Sequence, residues 1–279
     1  MLDTLTRWLA EPLEMEFMRM ALLACLFSAA NCGIVGVYVI LRRMSFLGGA
    51  LAHTILPGLV FAWMRSIPLF WGALGAGLLT AVAVGWLTDR RKIHEDTAIG
   101  ITLSGMFALG LLLMSLQRDF RDFSNLLFGN VLTVQPADLY LSLAVCAVVA
   151  LFLALFYKEL ELSTLDPEYA RIIGVRPVLL RYLLLILVAL CVVSAVPVIG
   201  ALLATALLIT PPATAALLTR SLLPMMLLSM GIGVFSGIVG LYISYYAGVS
   251  SGAAIALTAT ACFLLAKAGN SLLKPSNSS

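Results

Sequence analysis

His53 is an ionisable side chain set deep in an apolar stretch, residues 45–64, that contains no Asp, Glu, Lys or Arg. It sits in Phe46-Leu-Gly-Gly-Ala-Leu-Ala-His53-Thr-Ile-Leu-Pro57-Gly58. An ionisable group in hydrocarbon costs several kcal/mol, so it marks a pathway or a site unless a neighbour satisfies it. Gly49 and His53 lie four residues apart and share one helical face. Gly48 and Ala52 repeat that spacing with small residues that admit a second helix closely. Pro57, four residues after His53, removes the N–H that would bond the His53 carbonyl. An imidazole and a freed carbonyl oxygen therefore stand at one level of the stretch. Imidazole is a good ligand for Zn, Mn and Fe, and a carbonyl suits harder ions. One imidazole does not hold a divalent ion alone, whereas a symmetric homodimer would supply two across a central path. The alternative is a histidine satisfied by a neighbouring Ser, Thr or backbone group inside a helix interface.

The other chemically capable residues point less sharply. His94 lies in the charged segment 89–96, Asp-Arg-Arg-Lys-Ile-His-Glu-Asp, and reads as a solvated residue or one facing a cytoplasmic partner. Asp119 and Asp122 lie in a mixed Arg/Asp run, which is the pattern of a solvated surface. The 11 Met residues show no repeated spacing of the kind a copper relay needs. All 5 Cys (Cys25, Cys32, Cys146, Cys191, Cys262) fall in apolar runs without a Cys-x-x-Cys pair and read as small buried hydrophobes. No intramembrane carboxylate pair, His-Glu-x-x-His or Gly-x-Ser-x-Gly element is present, which argues against a hydrolase, although His53 with a serine stays open as a remote reading. There is no Gly-x-x-x-x-Gly-Lys-[Ser/Thr], so any ATP-hydrolysing step belongs to another polypeptide.

The elements that position these residues follow from composition. The chain has 279 residues, 62% hydrophobic and 11% charged, with a net charge of +3. Soluble domains carry about 25% charged residues, so this is a polytopic membrane protein. Continuous apolar runs of about 20 residues predict transmembrane helices, since an open sheet cannot satisfy its backbone in lipid. Spans are expected at 18–41, 45–64, 67–88, 97–116, 138–157, 178–196, 198–219, 222–246 and 249–267. Between 182 and 219 no charge interrupts the chain, and two helices joined at Pro197 are expected, with Thr210-Pro211-Pro212 a candidate break in the second. An eight-span count is the alternative there.

Positive charge orients the spans. Arg42, Arg43, Arg90, Arg91, Lys92, Lys158, Arg171, Arg176, Arg181, Arg220, Lys267 and Lys274 fall on one side; Arg7, Arg19, Arg65, Arg118 and Arg121 fall on the other. The richer side is cytoplasmic. The N-terminus is then outside and the C-terminus inside, as an odd span count requires. Residues 1–17 form an extracytoplasmic segment, and its acidic residues exclude a secretory signal peptide. Within it, 4–13 reads as an interfacial stretch anchored by Trp8. Residues 18–267 form the membrane domain, with an outer segment at 117–137 and a long cytoplasmic loop at 158–177. Residues 268–279 are a cytoplasmic tail, disordered in its last residues.

That loop contains Ser163-Thr-Leu-Asp166-Pro167-Glu168-Tyr-Ala-Arg171-Ile-Ile-Gly174-Val-Arg176. Leu165 or Asp166 as N-cap, Pro167 at the first helical position, Glu168 against the dipole and Gly174 as terminator predict about two turns of helix along the inner face. A short helix of this kind is what a permease inserts into a cleft of an ATPase; an ordinary interfacial helix is the other reading.

Four segments together resemble the permeases of ATP-binding-cassette importers for zinc, manganese and iron. They are Gly48–Gly58, Leu127-Phe-Gly-Asn-Val-Leu132, Asp166–Val175 and Gly200-Ala-Leu-Leu-Ala-Thr-Ala-Leu-Leu-Ile-Thr-Pro-Pro-Ala-Thr-Ala215. The third is similar to the coupling helix of cobalamin and siderophore permeases, which marks Asp166, Glu168, Arg171 and Gly174 as ATPase-contacting residues. The resemblance implies a type II importer in a bacterial cytoplasmic membrane. It would have two permease chains, identical or paralogous, two cytoplasmic ATPases and an extracytoplasmic metal-binding protein. It implies no permanent cofactor: the metal is cargo, met transiently by His53, with Pro57 and Pro211 shaping the path, and ATP binds the partner. Many members carry Asp where this chain has Gly49, so the usual carboxylate beside the imidazole is absent. A permease of the same architecture for a chelated metal or another small solute is the alternative.

Overall fold

A computed structural model describes residues 11–12, 14–89, 93–116 and 136–273. The interfacial stretch around Trp8, the cations Arg90–Lys92, the outer run with Asp119, Asp122 and the Leu127–Leu132 motif, and residues 274–279 lie outside the described residues. The described chain forms helices α1 (Glu16–Leu41), α2 (Phe46–Thr54), α3 (Leu56–Met64), α4 (Leu69–Asp89), α5 (Glu95–Ser115), α6 (Pro136–Leu165), α7 (Pro167–Ile172), α8 (Pro177–Ile199), α9 (Ala201–Leu218), α10 (Leu222–Ala247) and α11 (Ser251–Leu273). With α2 and α3 counted as one crossing, nine segments among the described residues are long and apolar enough to span a membrane. The fold is all-α, as the continuous apolar runs require.

Helix α1 is the central post, packed against α6, α8, α9 and α10. Its Val35, Val37, Tyr38 and Val39 are fully buried. Ser229 on α10 donates to the Gly33 carbonyl at 2.7 Å, fixing those two helices in register. On the other side of the molecule α4 packs on α3 and α8, and α5 covers α2 and α3. The α3–α4 contact is made backbone to backbone. A methyl on Gly58 would lie 2.0 Å from the Gly72 carbonyl oxygen, and one on Gly72 would lie 2.2 Å from that of Gly58. Small residues substitute here for the hydrophobic driving force that lipid abolishes between helices.

Several boundaries differ from expectation. The span at 45–64 is two helices, because Pro57 lacks the N–H that would continue the ladder; α2 ends at Thr54 and α3 starts at Leu56 with Pro57 in its first turn. The turn expected at Pro197 falls instead at Gly200, whose φ of 85° and ψ of 158° suit glycine almost alone. Two helices result, and the eight-span count is excluded. The break expected at Thr210-Pro211-Pro212 does not occur: α9 runs through both prolines. Pro212 deprives the Leu208 carbonyl of its helical donor, and that oxygen packs against Gly36 of α1, where a methyl would sit only 2.1 Å from it. The close backbone approach accommodates the freed oxygen without a helix break. Finally, α6 extends to Leu165, past the expected span end at 157. Its one non-helical residue, Phe156 (φ −116°, ψ 15°), marks the place where the apolar run stops and the helix bends.

Candidate functional site: an open stripe on α2 and the α7 end of the bundle

Helix α2 buries Leu47, Gly48, Ala50, Leu51, Ala52 and Thr54, leaving Phe46, Gly49 and His53 as its unburied residues. Spacings of three and four put these three on one stripe. The small face predicted at Gly48 does admit a neighbour, since a methyl there would meet Leu208 of α9 at 2.6 Å. Gly49 points the other way, and a methyl on it would meet nothing within 4 Å. His53 is exposed, and its ring stands edge-on to Phe107 of α5 at 5.9 Å between centroids and 77° between planes. No hydrogen bond to the imidazole is formed among the described residues. The neighbouring hydroxyl of Thr54 is turned inward to the Leu51 carbonyl at 3.2 Å. The imidazole thus keeps both nitrogens available, about 10 Å of helix rise from the start of its span.

The stripe cannot hold a metal by itself. No three His, Cys, Asp or Glu side chains come together among the described residues. The 5 cysteines are free, with Cys25, Cys32 and Cys191 buried. Among the described residues His53 has no second ligand within its own chain. Pro57 is buried behind the stripe at the α2–α3 break, and Pro211 is buried in the middle of α9.

The α7 end of the bundle is built from short local signals. Asp166 caps α7: its carboxylate accepts from the Tyr169 N–H at 3.0 Å, which decides between Leu165 and Asp166. Pro167 opens the helix and Gly174, at φ 89°, turns the chain toward α8. Ala170 packs inward, whereas Asp166, Glu168, Tyr169, Arg171, Ile172 and Ile173 all point outward. Ile172 is 81% exposed, too large an apolar side chain to leave in water on a two-turn helix without a partner in view. Sequence reasoning had named the charged residues of α7 but not Tyr169, Ile172 and Ile173. Their signal was present, as three large apolar residues on a helix with room to bury only one.

Behind α7 polar contacts tie together five helix ends, those of α1, α4, α5, α6 and α8. Arg42, just past α1, donates to Ser163 at 2.7 Å and to Thr164 at 3.1 and 3.2 Å. Arg181 of α8 donates to the Gly85 carbonyl at 2.9 Å and pairs with Asp89 of α4, which also accepts from Tyr182 at 3.0 Å. Glu95, at the start of α5, lies 3.9 Å from Arg181. His94 precedes it as an exposed N-cap residue whose side chain makes no cap bond. Partners as far as 122 positions apart build these contacts, so no local motif announces them.

Known proteins place this architecture. The chain is 39% identical over 254 residues to the manganese transport system membrane protein MntC of Listeria monocytogenes, covering 91% of each chain. It is 39% identical over 261 residues to the "Probable iron transport system membrane protein" of Haemophilus influenzae, covering 94% of this chain and 96% of the relative. Its fold superposes on PsaBC of Streptococcus pneumoniae, solved in complex with a Fab, with a TM-score of 0.83 and 35% identity, covering 94% of this chain and 95% of that one. Residues 14–270 match the model of the ABC 3 transport family, and the chain belongs to that family.

Proposed function

We propose that the chain is the membrane permease of an ATP-driven importer that carries divalent manganese or iron into the bacterial cytoplasm, with His53 lining the path. The observation that carries this reading is the α2 stripe: a helix buried on every other face keeps open only Phe46, Gly49 and an imidazole without a hydrogen bond. An exposed imidazole at that depth is costly against lipid and useful against a second permease chain or a water-filled path. Two copies, identical or paralogous, bring two such stripes together around one axis. Manganese and iron are what the relatives' names support. Zinc, an equally good imidazole cargo, is the competitor to test.

In this reading the N-terminus is outside and the C-terminus inside, and α7 lies on the cytoplasmic face. Tyr169, Ile172 and Ile173 supply apolar contact to a separate ATPase, while Glu168 and Arg171 set its orientation. Closure of the ATPase pair on ATP then moves α7, and α2 changes the side to which its stripe opens. A metal-binding protein delivers the cargo on the outer face.

Two measurements test this. With the assembled transporter in vesicles, uptake of labelled manganese is expected to be competed by iron and less by zinc. Competition by a metal chelate in place of the free ions would support the chelate-permease alternative. Replacing Glu168 and Arg171 together by alanine is expected to abolish most of the stimulation of ATP hydrolysis by the binding protein, with basal hydrolysis retained. A double variant with full stimulation removes α7 from the coupling role.

A further inference from the structure

A cavity of about 360 Å³ opens between the ends of α1, α5, α6, α7 and α8, and its charges do not balance. Arg42, Arg171 and Arg181 line it, against Glu95 as the one carboxylate in the lining among the described residues. Arg181 is already paired with Asp89 and lies near Glu95. Arg42 is not: no carboxylate stands within ion-pair distance of it among the described residues, and its recorded partners are the neutral hydroxyls of Ser163 and Thr164. Burial pulls its pKa below the ordinary guanidinium value; Glu95 opposes that, Arg181 adds to it, and Tyr38 opposes it. A partly desolvated cation with no carboxylate at ion-pair distance is unfavourable, and its cost falls when an oxyanion supplies charge-assisted hydrogen bonds.

We infer that this cavity is a binding site for a phosphate-type oxyanion, held by Arg42 and Arg171 with the Ser163 and Thr164 hydroxyls as further donors. The chemistry is specific. Both hydroxyl oxygens accept from Arg42, which leaves their protons free to point at an anion. Arg42 uses Nε and one terminal nitrogen for those bonds, so its other terminal nitrogen has donors to spare. Arg171 is exposed at the cavity wall, one turn after the Asp166 cap, and closes the opposite side. Nothing in this argument uses the transport reading or the α2 stripe.

Two sources supply the same group. Inner-leaflet lipid headgroups lie at the level of helix ends, and basic pockets between helices on the cytoplasmic side are where they are held. Val178 in the cavity wall and Leu179 beside it, 44% and 53% exposed, offer acyl contact. Free cytoplasmic phosphate is the other source. Both sources place this end of the bundle on the cytoplasmic side, as the orientation proposed above does. Either one would brace α7 against α1, because Arg42 and Arg171 would share a ligand.

The test uses the full-length protein in maltoside detergent. Native mass spectrometry reads retention of phosphatidylglycerol against phosphatidylcholine of equal chain length. The thermal midpoint is read in sodium phosphate against sodium chloride at equal ionic strength. Retention of phosphatidylglycerol at least fivefold above phosphatidylcholine assigns the lipid source. A midpoint raised by phosphate without that retention assigns the free ion. In both cases Arg171→Gln, at an exposed side chain, and Arg42→Lys, which keeps the charge but loses the fork, are expected to lower the response at least fivefold. Absence of both responses, or a response undiminished in Arg171→Gln, overturns the site; the first of these outcomes would leave the cavity to an acidic side chain of a cytoplasmic partner.

Discussion

Replacing His53 by alanine is expected to lower manganese or iron uptake by about tenfold or more, the range seen when support for a metal ligand is lost. Assembly and the thermal midpoint should stay near those of the parent, since His53 is exposed and takes no hydrogen bond that folding relies on. Initial uptake rates in vesicles at several metal concentrations check this. Unchanged uptake of every metal tried would remove His53 from the path. A companion variant sharpens the test. At Gly49 a methyl meets nothing within 4 Å, so Gly49→Asp introduces a carboxylate without repacking its neighbours. It stands four residues before His53, on the same face, where it converts one imidazole into an Asp/His pair. Metal is then expected to be held more tightly, measured as a lower KM with a slower maximal rate. An Asp variant with the parent's kinetics at all metal concentrations would mean that the cargo does not pass this stripe.

The second large effect is structural. Gly58→Val is expected to prevent α3 from seating on α4, because even the first added carbon would lie 2.0 Å from the Gly72 carbonyl oxygen and 2.7 Å from the Ala76 methyl. The obstacle is backbone on the facing helix, which cannot rotate away as a side-chain tip can. Overpacking of an ordinary core costs about 1–3 kcal/mol, and a clash with backbone belongs at or above that range. The folded yield in detergent, read as the monodisperse fraction on size exclusion, should fall steeply. Gly75→Ala is the control: it lies on the same helix as Gly72 with nothing within 4 Å of the added carbon, so its yield should match the parent. Equal yields for both variants would mean that the α3–α4 seam is looser than described.

These two results separate the stripe from its support. Gly58 is five residues from His53, and its helix is separated from α2 only by the break at Ile55. A seam tight enough to exclude a methyl fixes α3 against α4, while α2 keeps its own contacts, Leu208 behind Gly48 and Phe107 beside His53.

Membership of the family was legible in the residues themselves, because the four motif segments stand in order along nearly the whole chain and residues 14–270 match the family. The crossings were legible too. Runs such as 69–88 and 222–247 carry no charged residue, and hydrocarbon tolerates only a helix there. Helix α7 could be read because its cap, its first-position proline and its terminating glycine act within a few residues of one another.

What sequence alone could not decide were the places where a distant segment changes a local preference. Pro211 and Pro212 predict a break, yet α9 continues because Gly36, from a helix more than 170 positions earlier in the chain, lets its backbone come against the Leu208 oxygen. Arg42 reads as one more inner-side cation, yet the fold brings it to Ser163 and Thr164 and to a cavity with too few carboxylates. For His53 the sequence by itself determined depth, through the apolar run, and the face it shares with Gly49, through their spacing. Tertiary structure decided that this face is the one left open, because α2 packs the rest of its surface against neighbours whose order along the membrane no local pattern encodes.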